Sequence, residues 1–296
     1  MKTILVPTDL SASANNAARY TISIAKVIGA NIKLCHAFKV PVETYAAGAL
    51  VWPLDEYDTL KTDLDLEFEK QAEALKESVN FTSATSAFKP EISFISEIGE
   101  MTDVVRNIFS AEKCLMTVMG TSGAGGLQRF LLGSSSRAMI ETADFPLLLV
   151  PHDVPFKGID RIAFATDLND DDIQILGSLS TFARHFNAEI VVIHISDKKC
   201  ESSANTRHVD EFLKKVSNIV NYHKIYYRHV KSMDISHGLD WVYEHGTVDM
   251  LAMTHNRRHG IAQLFSTSYT QKLAKHIDIP LLVYPRTSSS ASLTVF

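Results

Sequence analysis

Five glycines and five hydroxyl side chains crowd into one stretch of the chain, residues 119–136. These residues are Gly120, Gly123, Gly125, Gly126 and Gly133, with Thr121, Ser122, Ser134, Ser135 and Ser136. Glycine lets backbone N–H groups approach a ligand closely and adopt positive φ without penalty. Because a helical pattern begins near Ser134, the first N–H groups and the positive dipole end of that helix add further donors. The stretch is therefore a candidate phosphate-binding loop, and a flexible surface loop with chance glycines is the alternative.

Two familiar phosphate motifs do not describe this stretch. No glycine loop in the chain ends in Gly-Lys-Ser or Gly-Lys-Thr, so it is not a P-loop. The dinucleotide pattern Gly-x-Gly-x-x-Gly also fails, because Gln128 stands where the third glycine should be. The spacing that remains is Gly-x2-Gly-x9-Gly-Ser, counted from Gly120, directly after an apolar run that is typical of a strand.

A carboxylate, Asp9, follows the first strand-like run of the chain. In open parallel sheets, ligands lie beyond the carboxyl ends of the strands, where the strand order reverses. Strands one and four border that point, so Asp9 and Gly120 are expected to face the same crevice. A carboxylate there can accept hydrogen bonds from ribose hydroxyls. Capping of a helix that begins near Ala12 is the alternative role for Asp9, but Ser11 can fill it.

The segments around these residues occur twice. Residues 2–10 return as 160–168 and residues 31–37 return as 189–195, both with an offset of 158 (167 − 9 = 158). Residues 146–151 return as 280–285, with an offset of 134 (280 − 146 = 134). We therefore predict a tandem duplication, with a first domain at 1–152, a second at 153–286 and a flexible tail at 287–296.

Short apolar runs alternate with helical patterns in both halves, which predicts an α/β fold with parallel sheets. Strands are expected near 2–7, 31–38, 91–96, 114–119 and 146–150, and again near 160–166, 189–195, 224–230, 248–254 and 280–284. Helices are expected near 12–28, 59–79, 101–111 and 134–143. Each half is thus predicted to be a doubly wound domain with a five-stranded parallel sheet flanked by helices. An extra aromatic segment, residues 40–58, is either a lid or an arm that packs on the other half.

Composition and charge limit the classes of partner. The first 150 residues carry 13 Lys and Arg against 18 Asp and Glu, and the remainder carries 16 against 16, which gives the net charge of −5. Neither half is basic, so no nucleic-acid partner is expected. No apolar stretch approaches the length of a membrane span. Three cysteines without a Cys-x-x-Cys pair suit a reducing compartment, and we predict a cytoplasmic protein.

Several of these features together resemble the universal stress protein family. They are the glycine spacing from Gly120, the strand ends at Asp9 and His36, and the terminal run from Pro146 to Pro151, and they span both halves. The resemblance implies a strand order of 3-2-1-4-5 in each half. It also implies that the last strands of the two halves pair, as they do in family dimers, and it leaves pairing between chains open.

The resemblance further implies a stress-response protein that binds ATP or a related adenine nucleotide in its first half, with Mg²⁺ as a candidate companion. Such a protein would act as a sensor or scaffold for a protein partner that the sequence does not identify. A slow ATPase and a nucleotide-independent interaction module are the alternatives. The loop supplies hydroxyls but no acid for phosphoryl transfer, which places the ATPase second.

Site residues follow from the same resemblance, position by position. Asp9 would hold the ribose. The adenine would be lined by Pro7, Thr8, Ala37, Phe38 and Val40. Ribose and phosphates would be cradled by Met119, Gly120, Gly123, Gly133, Ser134 and Ser135. No catalytic residue is assigned.

The second half departs from the pattern. At the offset of 134, the three signature glycines become Thr254, Arg257 and Thr267. Asp167 remains, but the acids after it stand at a predicted helix start, where the dipole favours them without a ligand. We therefore predict one nucleotide per chain. His255 and His259 have a zinc-compatible spacing but no neighbouring carboxylate or thiol, so no metal site is predicted.

Overall fold

The computed structural model describes most of both halves. The described residues are 2–38, 62, 66, 68–70, 72–75, 77, 88–121, 133–196, 203–232, 237–238, 247–255 and 279–285. The predicted arm or lid at 40–58 and the predicted tail at 287–296 lie outside these ranges.

The first half contains five strands and three fully bounded helices. They are β1 (Thr3–Pro7), α1 (Ala12–Ile28), β2 (Asn31–Phe38), β3 (Ile92–Ile98), α2 (Met101–Ala111), β4 (Cys114–Gly120), α3 (Ser134–Thr142) and β5 (Leu147–Val150). The described positions between 62 and 77 are helical, as the sequence predicts for that segment.

The described part of the second half repeats the alternation. Its elements are β6 (Arg161–Ala165), α4 (Asp171–Phe186), β7 (Glu189–Ser196), α5 (Ser203–Ile219), β8 (Ile225–Lys231), β9 (Met250–His255) and β10 (Leu281–Pro285). All ten strands lie within two residues of their predicted positions. No helix in the described ranges is long and apolar enough to cross a membrane.

All ten strands form one sheet, in the order β3-β2-β1-β4-β5-β10-β9-β6-β7-β8. The first half therefore has the order 3-2-1-4-5, and the second half has the same order in reverse across the join. Pairing is parallel within each half. The join is antiparallel and sets Leu147–Leu149 of β5 against Leu281–Val283 of β10. The strand order and the pairing of the last strands are confirmed.

The join lies in the best-buried part of the molecule. Every residue of β4, β5 and β10 is buried, which is the pattern of strands covered on both faces. Helices α1 and α4 contact each other on one side of this region. The connection between the halves is held against α1, because the Asn16 side-chain amide donates to the carbonyls of Pro151 (3.0 Å) and Val154 (3.1 Å). The Phe156 ring packs edge-on against Tyr20 at 5.1 Å.

Leu148 and Leu282 face each other across the join, and both are fully buried. We expect Leu148→Ala and Leu282→Ala each to lower the free energy of unfolding by about 2–5 kcal/mol, through lost burial and a cavity. Because the two side chains share one site, the double variant should differ from the sum of the single variants by about 0.5–3 kcal/mol. Denaturant unfolding of the four proteins measures both quantities.

A matched control pairs Leu148→Ala with Ile190→Ala in β7. Ile190 is also fully buried, but its strand lies four strand spacings from β5, roughly 19 Å away. These two substitutions should be additive. Additivity for the Leu148 and Leu282 pair as well would contradict the antiparallel join.

Candidate functional site

The turn after β1 forms one wall of the predicted crevice. Its backbone is held to β2 by a hydrogen bond from the Thr8 N–H to the Cys35 carbonyl (2.9 Å). Thr8 is 2% exposed, and its hydroxyl accepts a hydrogen bond from the Leu10 N–H (3.1 Å). Leu10 has φ of +62°, a left-handed conformation that residues other than glycine adopt rarely. The buried threonine therefore stabilises a strained residue immediately after Asp9.

The second half repeats this turn closely. Leu168, which corresponds to Leu10, has φ of +63°, and its N–H donates to the Thr166 hydroxyl at 2.8 Å. The Thr166 N–H bonds to the Ile193 carbonyl at 3.0 Å, as Thr8 does to Cys35. A left-handed leucine of this kind lowers the stability of the fold by about 1–3 kcal/mol. Both copies nevertheless retain it, and in both the threonine hydroxyl bonds to the leucine N–H.

Asp9 is exposed, and its carboxylate is oriented locally. The Asp9 carboxylate accepts a hydrogen bond from the Ser11 N–H at 3.1 Å. The cap of α1 is Ser11, whose hydroxyl accepts from the Ala14 N–H at 3.2 Å. The capping role therefore belongs to Ser11, as the sequence suggests, and Asp9 presents its carboxylate from a turn.

Gly120 ends β4 where that strand meets the start of α1. A Cβ atom at residue 120 would lie 2.3 Å from the Ser13 hydroxyl oxygen and 2.9 Å from the Ser13 backbone C and O. No side chain fits there without displacing α1 or β4. Strands β1 and β4 are neighbours, so this close approach brings Gly120 beside the turn that carries Asp9. That Asp9 and Gly120 line one crevice, as sheet topology leads us to expect, stays a prediction.

Helix α3 returns to the same point. The Gly133 N–H donates to the Thr121 carbonyl at 2.7 Å, so the two ends of the 122–132 segment meet. The Ser136 hydroxyl, which is 3% exposed, donates to the Gly120 carbonyl at 2.9 Å. The first turn of α3 is thereby held against the end of β4.

The N-terminus of α3 differs from that of α1 in its capping. The N-cap position is Gly133, which has no side chain to accept from the first N–H groups, and Ser134 and Ser135 are exposed. The first N–H groups of any α-helix lack partners inside the helix. In α3 they lie beside Gly120, where the dipole favours an anion.

The remaining predicted residues extend the crevice towards β2. Pro7 and Phe38 are buried and Ala37 is half-buried. Met119 is 6% exposed and packs in the core, so only its backbone faces the crevice end of β4. Val40 and Gly123 lie outside the described residues.

Three residues at this site were not among the predicted ligands. Ser13 of α1 packs against Gly120, and Ser136 of α3 donates a hydrogen bond to the Gly120 carbonyl. The third residue is His36, whose Nδ1 lies 2.8 Å from the Thr8 carbonyl oxygen. The His36 ring lies 4.7 Å from the ring of Phe68. The one sequence signal for His36 is its return as His194 in the repeat.

The crevice of the second half has a different chemistry. Asp172, in the first turn of α4, is fully buried and accepts a hydrogen bond from the Thr166 hydroxyl at 2.6 Å. In the repeat, Asp172 corresponds to Ala14 (172 − 14 = 158). Thr254, the counterpart of Gly120, lies in β9 and pairs with Tyr284. The second half therefore has a carboxylate where the first half has Ala14, and a side chain where the first half has the bare backbone of Gly120.

Comparisons with a family model and with curated proteins all point to the same family. The family model described as the universal stress protein family matches residues 1–151 and 158–285. A universal stress protein of Thermus aquaticus is 31% identical over 149 residues, which cover 50% of this chain and 98% of that protein. A universal stress protein of Mycolicibacterium smegmatis is 29% identical over 195 residues, or 65% of this chain, and the chain spans only 63% of that relative.

Solved structures agree on the architecture. The crystal structure of a universal stress protein from Archaeoglobus fulgidus is similar with a TM-score of 0.64 and 20% sequence identity. The similarity covers 96% of this chain and 98% of the archaeal chain, so it extends over both halves. At this level of identity the comparison shows the fold.

Gly120→Ala should lower the free energy of unfolding by about 1–3 kcal/mol, because the new methyl group overlaps Ser13. Adding Ser13→Ala should restore only part of that loss, since the backbone contacts at 2.9 Å remain. Gly177→Ala is the matched control. It lies in α4 with nothing within 4 Å of the added Cβ, and it should be neutral or stabilising. Equal effects of the two glycine substitutions in thermal unfolding would contradict the close approach.

Proposed function

Because the chain belongs to the universal stress protein family, we propose that its first half binds ATP or a related adenine nucleotide and that its second half does not. The observation that carries the proposal is the meeting of β4, α1 and α3 at Gly120, with the turn that carries Asp9 directly before α1. Three sources of ligand contact converge there: an exposed carboxylate, a strand end without a side chain, and a helix N-terminus without a capping side chain.

The phosphate end of the ligand is assigned to α3. The Ser136 hydroxyl holds the first turn of this helix against the Gly120 carbonyl, so the N–H groups of that turn begin beside the end of β4. The exposed hydroxyls of Ser134 and Ser135 are further candidate donors on the same turn. Helix N-termini beside a glycine backbone bind phosphate through N–H donors and the dipole. The Gly133 N–H is bonded to the Thr121 carbonyl beside this helix start. Gly123, which lies outside the described residues, is kept in this assignment.

The ribose and base are assigned to the wall formed by β1 and β2. The exposed Asp9 carboxylate has oxygens that can accept from ribose hydroxyls, and its turn is fixed by Thr8 and Ser11. Pro7, Thr8, Ala37 and Phe38 form the strand ends beside it, with the adenine against their backbone. Val40, just past the described part of β2, is kept in this assignment.

The second half is assigned a supporting role on electrostatic grounds. Asp172 is a buried carboxylate in the first turn of α4, the helix that corresponds to α1, and α1 begins beside Gly120 in the first half. A polyphosphate brought next to it would be repelled in a medium of low dielectric constant. Asp170 at the same helix start is already paired with Lys215 of α5 at 2.7 Å. The second half therefore keeps the fold of the family, but the charges in its crevice do not suit a polyphosphate.

We propose that the protein acts in the cytoplasm as a nucleotide-dependent sensor or scaffold, with Mg²⁺ as a candidate companion of the nucleotide. The thiols within the described residues support a reducing compartment, because Cys35 and Cys114 are both free and buried. Burial raises the pKa of Cys35, and burial together with the Glu112 carboxylate raises the pKa of Cys114 to about 11. Both thiols are therefore held in their unreactive protonated form.

Calorimetric titration of the full chain with ATP should give one site per chain. Asp9→Ala should weaken binding by about tenfold or more, since it removes a charged acceptor worth about 1.5–3 kcal/mol. Asp167→Ala is the matched control, because it removes the corresponding carboxylate of the second half and should leave the ATP affinity unchanged. Both aspartates are exposed, so neither substitution should prevent folding.

Two equivalent ATP sites, or equal losses from Asp9→Ala and Asp167→Ala, would contradict the assignment to the first half. Absence of any ATP binding would favour the nucleotide-independent interaction module. Mass spectrometry of the ligand released from protein purified without added nucleotide would identify which adenine nucleotide is bound.

A further inference from the structure

Two imidazoles stack at the carboxyl ends of adjacent strands in the second half. His194 of β7 and His229 of β8 are register partners, and their ring centroids are 5.6 Å apart with an interplanar angle of 21°. The Ser196 hydroxyl lies 2.7 Å from His229 Nε2. In open parallel sheets ligands bind beyond this end of the strands, where the strand order reverses. That point lies between β6 and β9, and β6 is the neighbour of β7.

The hydrogen bonds define which nitrogen of His194 can take up a proton. His194 Nδ1 lies 3.3 Å from the Thr166 carbonyl oxygen, which can only accept, so Nδ1 carries the hydrogen and Nε2 is the basic site. Protonation of Nε2 would create a new donor beside the ring of His229. Protonation of both rings would place two positive charges within 6 Å of each other.

The groups around His194 disfavour a positive charge on its ring when no ligand is present. Burial is the largest cause that lowers the pKa of His194, and the nearby imidazoles of His229 and His208 lower it further. The Thr166 carbonyl and the Asp167 carboxylate act in the opposite direction. An anion beside the edges of the two rings would supply the missing countercharge.

The first half provides an internal comparison. His36 makes the same bond to the Thr8 carbonyl, at 2.8 Å, but its register partner in β3 is Ser96. Its ring is flanked by aromatic rings, with Phe38 at 6.4 Å and Phe68 at 4.7 Å. The imidazole pair is therefore a feature of the second half, and the backbone arrangement beneath it is common to both.

We propose that the carboxyl ends of β6, β7 and β8 form a proton-dependent binding site for a small oxyanion, in which His194 and His229 are the protonated donors. The exposed His208 of α5 adds a third imidazole within electrostatic range. Proton uptake and anion binding are thermodynamically linked, so each favours the other. The site is independent of the nucleotide assignment in the first half.

The charged groups of the described residues around the pair favour an anion at low pH. They are Asp167, which follows β6, Asp172 of α4, His208 of α5, and His229 and Lys231 of β8. Of the two carboxylates, Asp172 is fully buried and is bonded to the Thr166 hydroxyl. Within the described ranges, no three His, Cys, Asp or Glu side chains converge to hold a metal ion.

The sign of the stability effect follows from the lowered pKa of His194. As pH falls through the ordinary histidine pKa of about 6.5, the unfolded chain takes up this proton before the folded chain does. The stability that the neutral imidazole contributes at higher pH is therefore lost on acidification. A bound oxyanion should oppose the loss, so sulfate should raise the midpoint of thermal unfolding more at about pH 5.5 than at about pH 7.5.

Titration of the full chain with sulfate, against chloride of equal ionic strength, tests the proposal. Sulfate keeps its charge over this range, so any pH dependence reports proton uptake by the protein. We expect the affinity to fall as pH rises, by up to about tenfold per pH unit for each linked proton. The measured heat should depend on the ionisation enthalpy of the buffer, because protons are taken up on binding.

His229→Gln is the decisive variant, because glutamine can still bond to Ser196 but cannot be protonated, and the position is exposed. Because one of the two proposed donors is lost while His194 remains, this variant should weaken sulfate binding at about pH 5.5 and reduce the pH dependence of the affinity. Two matched controls should retain it: His223→Gln, an exposed histidine just before β8, and His36→Gln, the counterpart of His194. A sulfate affinity that is equal at the two pH values, or a pH dependence that His229→Gln leaves unchanged, would overturn the proposal.

Discussion

The contact between Gly120 and Ser13 determines how the first half can work. A methyl group at residue 120 would overlap both the hydroxyl and the backbone of Ser13, so the end of β4 can meet α1 only as bare backbone. Ser136 then bonds to the carbonyl of the same glycine and brings α3 to the same point. A single residue without a side chain thus lets one strand end and two helix starts converge beside Asp9.

The duplicated architecture shows which parts of this arrangement are structural. The turn after β1 and the turn after β6 have the same threonine hydroxyl bond, the same left-handed leucine and the same histidine contact. These features belong to the fold, because they persist where the glycine is absent. The open strand end and the uncapped helix belong to the first half, and the imidazole pair and the buried Asp172 belong to the second.

Joining the halves through β5 and β10 gives the molecule one continuous sheet. Every residue of β5 and β10 at the join is buried, and α1 also carries Asn16, which binds the connection between the halves. The same helix begins at the candidate nucleotide site. The first half is therefore coupled to the second by packing and by hydrogen bonds from one helix.

Much of the fold was predictable from the sequence. Strands that are buried on both faces, such as β4 and β5, consist of continuous apolar residues, and such runs can be recognised without coordinates. The repeat of Asp9 as Asp167 and of His36 as His194 indicated the duplication. Side-chain contacts between distant segments were not predictable. The bond from Ser136 to Gly120, the overlap of residue 120 with Ser13, and the pairing of His194 with His229 depend on how helices and strands pack, which residue spacing does not encode.

A crystal structure of the full chain grown with a non-hydrolysable ATP analogue is the most direct test of a single nucleotide site. We predict one analogue per chain, with its ribose on Asp9 and its phosphates between Gly120 and the first turn of α3, and no nucleotide between β6 and β9. An analogue bound in the second half, or in both halves, would contradict the assignment.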